Sequence, residues 1–351
     1  MEFEHRGYAR RIVFRPGAVD ALPEEIAALG ARRVMVFAGG SQAERAVALL
    51  ARLGDREAWL VEGVRPHLPR ELADRVQAEA RERGADALVC IGGGSATGLA
   101  KVAALAVDAP IVAVPTTYAG SEMTPIYGIT EGGEKRTARD PRVVPRVVVY
   151  DPLLTLSMPR DVTGASGLNA LAHAVGALFT PGADPVERPV ARQAVRTLRR
   201  GIPAAHDRPG DVAARSEALF GALLAGMSFA AAGGSYHHAV CHVLGGAYGV
   251  PHALTHALVL PHSVALAATL EPAAHAELGT LLETPSPQLD LHRLAAAVTA
   301  PSRLADAGLP ESLIDEATDR VLAGFPPRYG AGREAVRALV AGAVTGSPPP
   351  P

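Results

Sequence analysis

The sequence has little cysteine, few aromatic side chains and almost no net charge. Its 351 residues include only two cysteines, Cys90 and Cys241, which lie far apart and show no paired spacing. We therefore expect a reducing, cytoplasmic environment. Aromatic residues make up only 4 % of the chain, which argues against a base-stacking surface for nucleic acid. The formal net charge of −2 indicates neither a nucleic-acid nor a membrane partner.

Long apolar segments are also missing. No uninterrupted apolar run reaches the roughly 18 residues of a membrane-spanning helix. The N-terminal segment MEFEHRGYARR lacks the apolar core of an export signal. Hydrophobic residues make up 48 % of the chain and charged residues 20 %, which is typical of a globular protein. The length suffices for two domains with sizeable cores.

Histidine, in contrast, is concentrated in one segment. Six of the twelve histidines fall in the range His237–His262. His238 and His242 are four residues apart and would share one face of a helix, and His252 follows after a glycine-rich break. Histidine exchanges protons near neutral pH and is the commonest metal ligand, so the pattern indicates an active site.

A second pair with the same spacing, Asn169 and His173, extends this pattern. Together with His238 and His252, the pair resembles a divalent-metal site. Such a site usually includes a carboxylate, whereas Asn169 offers only a neutral carbonyl oxygen, and the missing charge should weaken metal binding by several kcal/mol. We therefore interpret these four residues as a degenerate metal site without metal. His256 and His262 are interpreted as structural, and His237, which points about 100° away from His238 on a helix, is interpreted as a neighbour of the site and not a ligand.

The first half of the chain alternates short apolar strands with helical segments. This alternation is typical of a parallel sheet covered on both faces. The clearest helical pattern runs from Leu68 to Arg83 and ends at Gly84. The predicted strands are Arg33–Ala38, Ala58–Val61, Ala87–Ile91, Pro110–Pro115 and Arg146–Tyr150.

Beyond Asp151 the strand signals fade and long helical patterns follow. We predict an α/β dinucleotide-binding domain over residues 1–155 and an all-helical substrate domain over residues 156–351. The segment Glu283–Gln288 is interpreted as a loop. The predicted helices are Gly167–Leu178, Pro189–Arg200, Ala213–Ala231, His238–Gly246, His252–Ala268 and Arg333–Ala343.

A glycine-rich loop follows the third predicted strand. The segment from Cys90 to Lys101 reads CIGGGSATGLAK, and it leads from a buried strand onto a helix that begins near Thr97. Glycine lets the backbone approach a ligand closely, and a helix N-terminus offers free N–H groups to an anion. The spacing is not that of the common Rossmann fingerprint, and a tight turn is the alternative. The flanking strand and helix favour phosphate binding, which would use Gly92, Gly93, Gly94 and Ser95.

A second polar loop, PTTYAGSEMTP, follows the next predicted strand over Pro115–Pro125. Ligands of doubly wound sheets lie at the carboxyl ends of strands, so two polar loops at two such ends suit one extended ligand. A capping loop rich in hydroxyl groups is the alternative. The predicted cofactor-binding residues of this loop are Thr116, Thr117, Tyr118 and Ser121.

These motifs together resemble the iron-containing, or group III, alcohol dehydrogenase family. The resemblance is carried by GGGS, PTTYAGSE, NALAHA and the two-histidine segment HVLGG…PH, and it extends from Phe14–Gly17 to Pro326–Arg328. It implies a Rossmann-like α/β domain followed by a helical, metal-type domain, an architecture shared with dehydroquinate synthase. It also implies NADH or NADPH as cofactor and a homodimer.

Within this family the chain resembles the maleylacetate reductase branch. Gly98 and Asn169 stand where the metal-dependent enzymes usually carry aspartate, and three longer segments are similar, Pro115–Thr130, Lys135–Pro152 and His237–Gly246. This branch reduces maleylacetate, an oxo-dicarboxylate, to 3-oxoadipate during the breakdown of aromatic compounds. The resemblance implies that Gly93, Gly94 and Ser95 bind the pyrophosphate, with Thr116, Thr117 and Tyr118 nearer the nicotinamide.

The substrate of this branch carries an already activated oxo group, so hydrogen-bond donors or imidazolium groups could replace a metal. We expect Asn169 to mark a metal-independent site in which His173, His238, His242 and His252 contact the substrate. We choose His242 as the proton donor. The candidate contacts for the substrate carboxylates are Lys135, Arg139 and Arg142, although each is equally well explained as a solvated charge.

No acidic residue follows the strand Arg33–Ala38, which leads into Gly39-Gly40-Ser41. An acidic side chain at this position selects NADH over NADPH, so we predict that both are accepted. Four alternatives remain open: a metal-dependent alcohol dehydrogenase, a dehydroquinate synthase-like lyase or cyclase, a biosynthetic paralogue that reduces another oxo acid, and a non-catalytic binding protein. Small departures from the sequence expected of the reductase branch, at Gly39-Gly40 and Ala170–Gly176, leave the paralogue as an open alternative.

Overall fold

The computed structural model describes residues 3, 5, 7–65, 68–132, 134–180, 184–325 and 329–351. The chain divides into two compact units, an α/β unit of Arg6–Ser157 and a helical unit of Met158–Pro351. His5 is grouped with the helical unit, where its ring contacts the carboxylate of Asp184. The segment Pro326–Arg328, where the family resemblance ends, lies outside the described residues.

The α/β unit contains a six-stranded sheet in which every neighbouring pair is parallel. The order of the strands is β1-β8-β5-β4-β2-β3. Five strands were predicted, and β1 was missed because this four-residue edge strand is largely exposed. The strands are β1 (Arg11–Phe14), β2 (Arg33–Ala38), β3 (Glu57–Val61), β4 (Ala87–Gly92), β5 (Ile111–Pro115) and β8 (Val147–Tyr150).

Helices cover this sheet. The helix α3 buries Leu72, Val76 and Ala80, the apolar positions that its sequence pattern indicated. The helix α4 begins directly after the glycine-rich loop and ends at Asp108, whose backbone is left-handed with φ 51°. The helices of the unit are α1 (Leu22–Ala28), α2 (Ala43–Leu50), α3 (Arg70–Glu82) and α4 (Gly94–Val107).

An antiparallel hairpin lies outside the main sheet and was not predicted. Its strands are β6 (Ile126–Glu131) and β7 (Glu134–Arg139), with Ile126 paired to Arg139. The second strand reads EKRTAR, which has no apolar alternation to indicate a strand. Pairing with β6 therefore decides its conformation.

The helical unit contains nine α-helices within the described residues. All six predicted helices are present, and most of them extend beyond their predicted bounds. Three further helices were missed, and α11 begins at Pro287 inside the predicted loop because proline fits the first turn of a helix. The helices are α5 (Arg160–Leu178), α6 (Arg188–Asp207), α7 (Val212–Ala232), α8 (Tyr236–Tyr248), α9 (His252–Leu270), α10 (Pro272–Leu282), α11 (Pro287–Val298), α12 (Ile314–Gly324) and α13 (Arg333–Thr345).

Small residues allow α5 to lie at the centre of this unit. A Cβ atom at Gly164 would lie 1.7 Å from the carbonyl oxygen of Val298, so α5 meets its neighbour backbone to backbone. At Gly201 of α6 the same atom would lie 2.8 Å from the backbone nitrogen of Ala218. This close packing buries the middle of α5 on all sides and carries Asn169 into the core.

Two helices, α7 and α9, are long and apolar enough to pass a length-and-hydropathy criterion for membrane spans. More than half of the most apolar part of each helix is buried in the protein. Packing in the core of a globular unit accounts for this composition.

The ammonium group of Lys101 organises the loop that follows β5. Its Nζ donates to the carbonyl oxygens of Ser121, Thr124 and Ile126 at 2.6, 2.8 and 2.7 Å. Burial lowers the pKa of Lys101 to about 7, and the nearby carboxylate of Glu122 opposes this shift. Three carbonyl acceptors require three N–H donors, which only the ammonium form supplies. Lys101 therefore fixes the conformation of the loop.

Replacing Lys101 by methionine tests this role. We expect Lys101→Met to lower the free energy of unfolding of the α/β unit by about 3 kcal/mol, because three buried carbonyl oxygens lose their donor. Trp59 of β3 is the only tryptophan, so its fluorescence during urea denaturation reports on this unit alone. The control Arg81→Met removes an exposed charge from α3 and should change stability by less than about 0.5 kcal/mol. Equal stability of the two variants would contradict the anchoring role.

Candidate active site

The carboxyl edge of the sheet in the α/β unit is a candidate nucleotide site. The connection after β2 leads to β3 on one side, whereas the connection after β4 leads to β5 on the other. Nucleotides bind at such a reversal, in the crevice outside the carboxyl ends of the two diverging strands. Here that crevice lies between β2, which leads into Gly39 and Gly40, and β4, which leads into Gly93 and Gly94.

The loops after β4 and β5 are in contact. The amide of Thr116 donates to the carbonyl oxygen of Gly92 at 3.1 Å. A Cβ atom at Gly93 would lie 3.0 Å from the Oγ1 atom of Thr117. Gly92 has φ 153°, a conformation that favours glycine, and a side chain there would also meet Ala96. The structure thus brings the predicted phosphate loop and the threonine loop together.

This arrangement fits a dinucleotide. Gly94 is exposed at the first turn of α4, where backbone N–H groups are free to bind a phosphate. Gly39 and Gly40 have open space where side chains would stand, so the end of β2 leaves room for a ligand. Of the other predicted contacts, Ser95 is half-buried, whereas Tyr118 is completely buried. Ser121 is half-buried and gives its carbonyl oxygen to Lys101.

The three predicted carboxylate contacts lie on the hairpin and the turn after it. The side chain of Lys135 lies outside the described part of the protein. Arg139 ends β7 and is exposed. Arg142 is exposed and donates from Nη2 to the Oδ2 atom of Asp140 at 2.7 Å, and this pairing raises the pKa of Arg142. A role for these residues in substrate binding stays a prediction.

The helical unit contains a candidate site of its own. Asn169 and His173 of α5 are 3 % and 6 % exposed, and His238 of α8 is 4 % exposed. The rings of His173 and His238 stack with centroids 5.3 Å apart, and each stacks on Phe229 at 4.6 Å. The structure therefore places His173 and His238 in one buried cluster, and Asn169 is buried one helical turn before His173 on α5.

His256 of α9 lies at the centre of this cluster, although the sequence analysis interpreted it as structural. Its ring centroid lies 4.4 Å from that of His252, 4.9 Å from those of His237 and His238, and 6.0 Å from that of His173. A recognisable signal was present, because His252 and His256 have the i,i+4 spacing used for the other pairs.

The two remaining predicted site residues, His242 and His252, are exposed. Their ring centroids lie 5.9 Å apart, and His252 adjoins the buried His256. Imidazole rings thus extend from the surface into the core, with His242 at the outer end.

Several buried polar atoms of the cluster have no hydrogen-bond partner in the described part of the protein. They are Oδ1 of Asn169, Nδ1 of His173, both ring nitrogens of His238 and Nε2 of His256. A buried polar group without a partner is costly, so such groups are normally satisfied by protein, water or a ligand. Their convergence in one cluster indicates a site for a polar ligand.

The buried histidines are neutral. Burial, followed by the repulsion of neighbouring histidines, lowers the pKa of His173 to about 4 and that of His237 to about 3. The pKa values of His238 and His256 are lowered in the same way. At neutral pH these rings therefore act as hydrogen-bond donors and acceptors and not as imidazolium groups.

Comparison with known proteins places the chain in a family. Residues 9–152 match the profile of iron-containing alcohol dehydrogenases, and residues 163–340 match the C-terminal profile of the same family. The chain belongs to the iron-containing alcohol dehydrogenase family. It is therefore an oxidoreductase, and both the predicted family and the predicted fold class are confirmed.

Individual relatives cover the whole chain. Maleylacetate reductases from Pseudomonas sp. (strain P51) and Delftia acidovorans are each 41 % identical over 352 aligned positions, with 100 % of both chains covered. The crystal structure of maleylacetate reductase from Agrobacterium tumefaciens is similar with a TM-score of 0.93 at 38 % identity, covering 99 % of this chain and 100 % of that one. A 1,3-propanediol oxidoreductase structure gives 0.85 at 27 % identity, with 97 % and 100 % covered.

The residues at the family's metal position do not fit a divalent metal. Asn169 supplies no negative charge, and His252 is exposed whereas His173 and His238 are buried. In the described residues, the nitrogen atoms of these histidines do not form a group within 4.8 Å of one another. A metal site without a carboxylate and without converging nitrogens is poorly suited to iron.

The glycine loop generates a testable prediction about dinucleotide binding. We expect Gly93→Val to weaken NADH binding at least about tenfold, because its side chain would collide with Thr117 and occupy the approach to the phosphate loop. The control Gly98→Ala adds a methyl group on the same helix where nothing lies within 4 Å. Titration calorimetry measures the affinity of both variants for NADH, and Trp59 fluorescence shows whether each variant is folded. Unchanged affinity of Gly93→Val would exclude this loop as the binding site.

The neutral histidines generate a prediction about acid stability. Burial lowers the pKa values of His173 and His262 to about 4, against about 6.5 in an unfolded chain. Between these values the unfolded chain binds protons that the folded chain does not. The free energy of unfolding of the helical unit should therefore fall as the pH falls from about 6.5 to 4, by about 1.4 kcal/mol per pH unit and histidine.

Urea denaturation followed by far-UV circular dichroism at several pH values measures this slope. His262→Gln removes one titrating group away from the candidate site and should make the slope shallower by about 1.4 kcal/mol per pH unit. A stability independent of pH over this window would show that the rings can be protonated in the folded protein.

Proposed function

We propose that this oxidoreductase uses NADH or NADPH to reduce maleylacetate to 3-oxoadipate in the degradation of aromatic compounds, without a metal. The observation that carries the proposal is the buried cluster of neutral imidazoles on α5, α8 and α9, with the uncharged Asn169 buried one helical turn before His173. The relatives named maleylacetate reductase, which match over the full length, support the choice of substrate.

The chemistry of the substrate explains why a metal can be dispensed with. Maleylacetate is 4-oxohex-2-enedioate, so its C2–C3 double bond is conjugated with the ketone at C4. A bound reduced nicotinamide supplies a hydride, which forms a bond to C2 of the substrate. The electron pair of the double bond moves onto C3, C4 and the ketone oxygen as an enolate. A proton delivered to C3 completes 3-oxoadipate.

The enolate oxygen defines what the protein has to supply. In this proposal an N–H group of His238 donates to that oxygen, since both ring nitrogens of His238 are buried and without partners in the described part of the protein. Hydrogen-bond donors fixed in a site of low dielectric stabilise such a charge, and loss of one donor typically costs about 100-fold or more in rate. The amide of Asn169 adds a donor without adding a negative charge, which an aspartate would bring.

The proton for C3 is assigned to the exposed end of the row of imidazoles. The buried rings have lowered pKa values and hold no extra proton at neutral pH. His242 and His252 are exposed and can exchange protons with water. We keep His242 as the proposed proton donor. Arg139, Arg142 and Lys135 remain the proposed contacts for the carboxylates of the substrate.

We also propose that the cofactor binds along the carboxyl edge of the sheet, with its phosphates at Gly93, Gly94 and Ser95. The open space around Gly39 and Gly40 supports the acceptance of both NADH and NADPH, because no acidic side chain there would repel a 2′-phosphate. We further propose that the protein is a homodimer in the cytoplasm. Two buried cysteines in the thiol form are compatible with that location.

The proposed reaction predicts turnover that survives chelation. Consumption of NADH or NADPH, followed by absorbance, should occur with freshly generated maleylacetate and continue after treatment with a chelator. Elemental analysis should find far less than one iron or zinc per active chain. The preference between the two cofactors in kcat/KM should stay below about a hundredfold, or about 2.7 kcal/mol.

The variant Asn169→Asp provides the matched comparison. Its carboxylate repels the negative charge of the enolate, so we expect kcat in the absence of metal to be at least tenfold lower than in the wild type. The same carboxylate restores the charge of a metal site, so Zn²⁺ should bind more tightly than to the wild type. Stoichiometric metal in the wild type with activity lost to chelator would establish a metal-dependent dehydrogenase instead. Turnover confined to other oxo acids in a substrate panel would favour a biosynthetic paralogue.

A further inference from the structure

A second group of metal-ligating side chains lies beside the histidine cluster. His237 and Cys241 are four residues apart on α8 and share one face, which meets His256 of α9. One ligand atom from each of the three lies within 4.8 Å of the other two. All three side chains are buried, with exposures of 2 % for His237 and 0 % for Cys241 and His256.

The distances in this group are close to those of a bound zinc ion. The Sγ atom of Cys241 lies 3.5 Å from Nε2 of His237, and that nitrogen lies 3.0 Å from Nδ1 of His256. Around a tetrahedral Zn²⁺, sulfur and nitrogen ligands are about 3.6 Å apart and two nitrogen ligands about 3.4 Å apart. A small widening of the nitrogen pair would therefore accommodate the ion.

The surroundings of His237 support the same use. Its Nδ1 atom lies 2.9 Å from the Oγ atom of Ser263, a hydroxyl on α9 that can accept a hydrogen bond. Histidines that bind metals usually donate their second ring N–H to such a partner, which directs the lone pair of the other nitrogen at the metal. In this tautomer Nε2 of His237 is free to act as a ligand.

We propose that His237, Cys241 and His256 form a site for Zn²⁺ or a similarly thiophilic cation, separate from the family's metal position. One thiolate and two imidazoles are the donors that such cations prefer over oxygen-rich sites. On binding, the thiol of Cys241 releases its proton to solvent, and His256 moves its proton from Nδ1 to Nε2. The positive ion offsets the cost of a buried thiolate, which burial otherwise imposes by raising the pKa of Cys241.

Occupancy of this site has a consequence that rests on the proposed function. His256 adjoins His238 and His252, so an ion on its Nδ1 holds the ring in place and adds positive charge beside the cluster. The proton-exchanging row of imidazoles would then be interrupted at its centre. We therefore expect Zn²⁺ to inhibit the reductase reversibly.

Cobalt spectroscopy tests the site without any assay of activity. One equivalent of Co²⁺ added to the metal-free protein should produce a near-ultraviolet thiolate-to-cobalt absorption in the wild type. The band should persist in Cys90→Ser, which removes the other buried thiol, and should be absent from Cys241→Ser. Absence of the band from the wild type, or its presence in Cys241→Ser, would overturn the proposal.

Titration calorimetry with Zn²⁺ gives an independent measurement. The wild type should bind about one ion with release of a proton, and Cys241→Ser and His256→Gln should each weaken binding by at least about a hundredfold. Circular dichroism confirms that both variants fold. Equal affinity of wild type and Cys241→Ser would show that Cys241 is not a ligand and would refute this assignment.

The activity arm separates the two proposals. Zn²⁺ should inhibit maleylacetate reduction by the wild type and by Cys90→Ser, a chelator should restore it, and Cys241→Ser should resist inhibition. Inhibition that persists in Cys241→Ser would contradict the regulatory consequence. A protein that binds Co²⁺ as expected but reduces no maleylacetate would refute the proposed function and leave the metal site standing.

Discussion

The burial of four imidazoles in an apolar helical core is the constraint on which the rest of the site depends. Within the described residues, desolvation and neighbouring histidines account for the lowered pKa values of His173, His237, His238 and His256. The rings are held neutral, and several of their polar atoms lack partners. Water or a polar ligand that reaches these atoms would satisfy them, so the cluster is suited to polar chemistry.

The packing that creates this burial is unusual for polar residues. Glycine at positions such as Gly164 lets α5 approach its neighbours at backbone distance and leaves Asn169 away from solvent. Phe229 stacks on both His173 and His238 and fixes the orientation of their rings. The donors of the cluster are therefore held by packing before any ligand binds, which is what electrostatic stabilisation of an enolate requires.

The α/β unit achieves rigidity by a different route. Lys101 holds the loop after β5 through three carbonyl oxygens, and Thr117 of that loop packs against Gly93 of the phosphate loop. Lys101 orders the loop after β5 and thereby also supports the phosphate loop. In the helical unit His256 has a comparable double position, since one ring contacts both the candidate active site and the thiol-containing group.

Much of the fold follows from local pattern. Buried strands such as Ala87–Gly92 are continuous apolar runs, and α3 shows helical periodicity, so both were recognised from the chain alone. The strand β7 was not recognised, because pairing with β6 and not its own apolar pattern determines its conformation. Helix α11 was not recognised, and it begins at Pro287 inside the segment that was interpreted as a loop, because proline fits the first turn of a helix.

The sequence alone largely determined which side chains the candidate site contains. The spacing of the histidines indicated the imidazole groups, and Asn169 provides a neutral amide where a carboxylate was expected. Only the tertiary structure decided which of those donors are buried. His256 and His237 lie inside the cluster, whereas His242 is exposed. Spacing along one helix specifies a shared face, but the contacts of that face depend on how α5, α8 and α9 pack. That packing sets the dielectric around each ring and hence its charge.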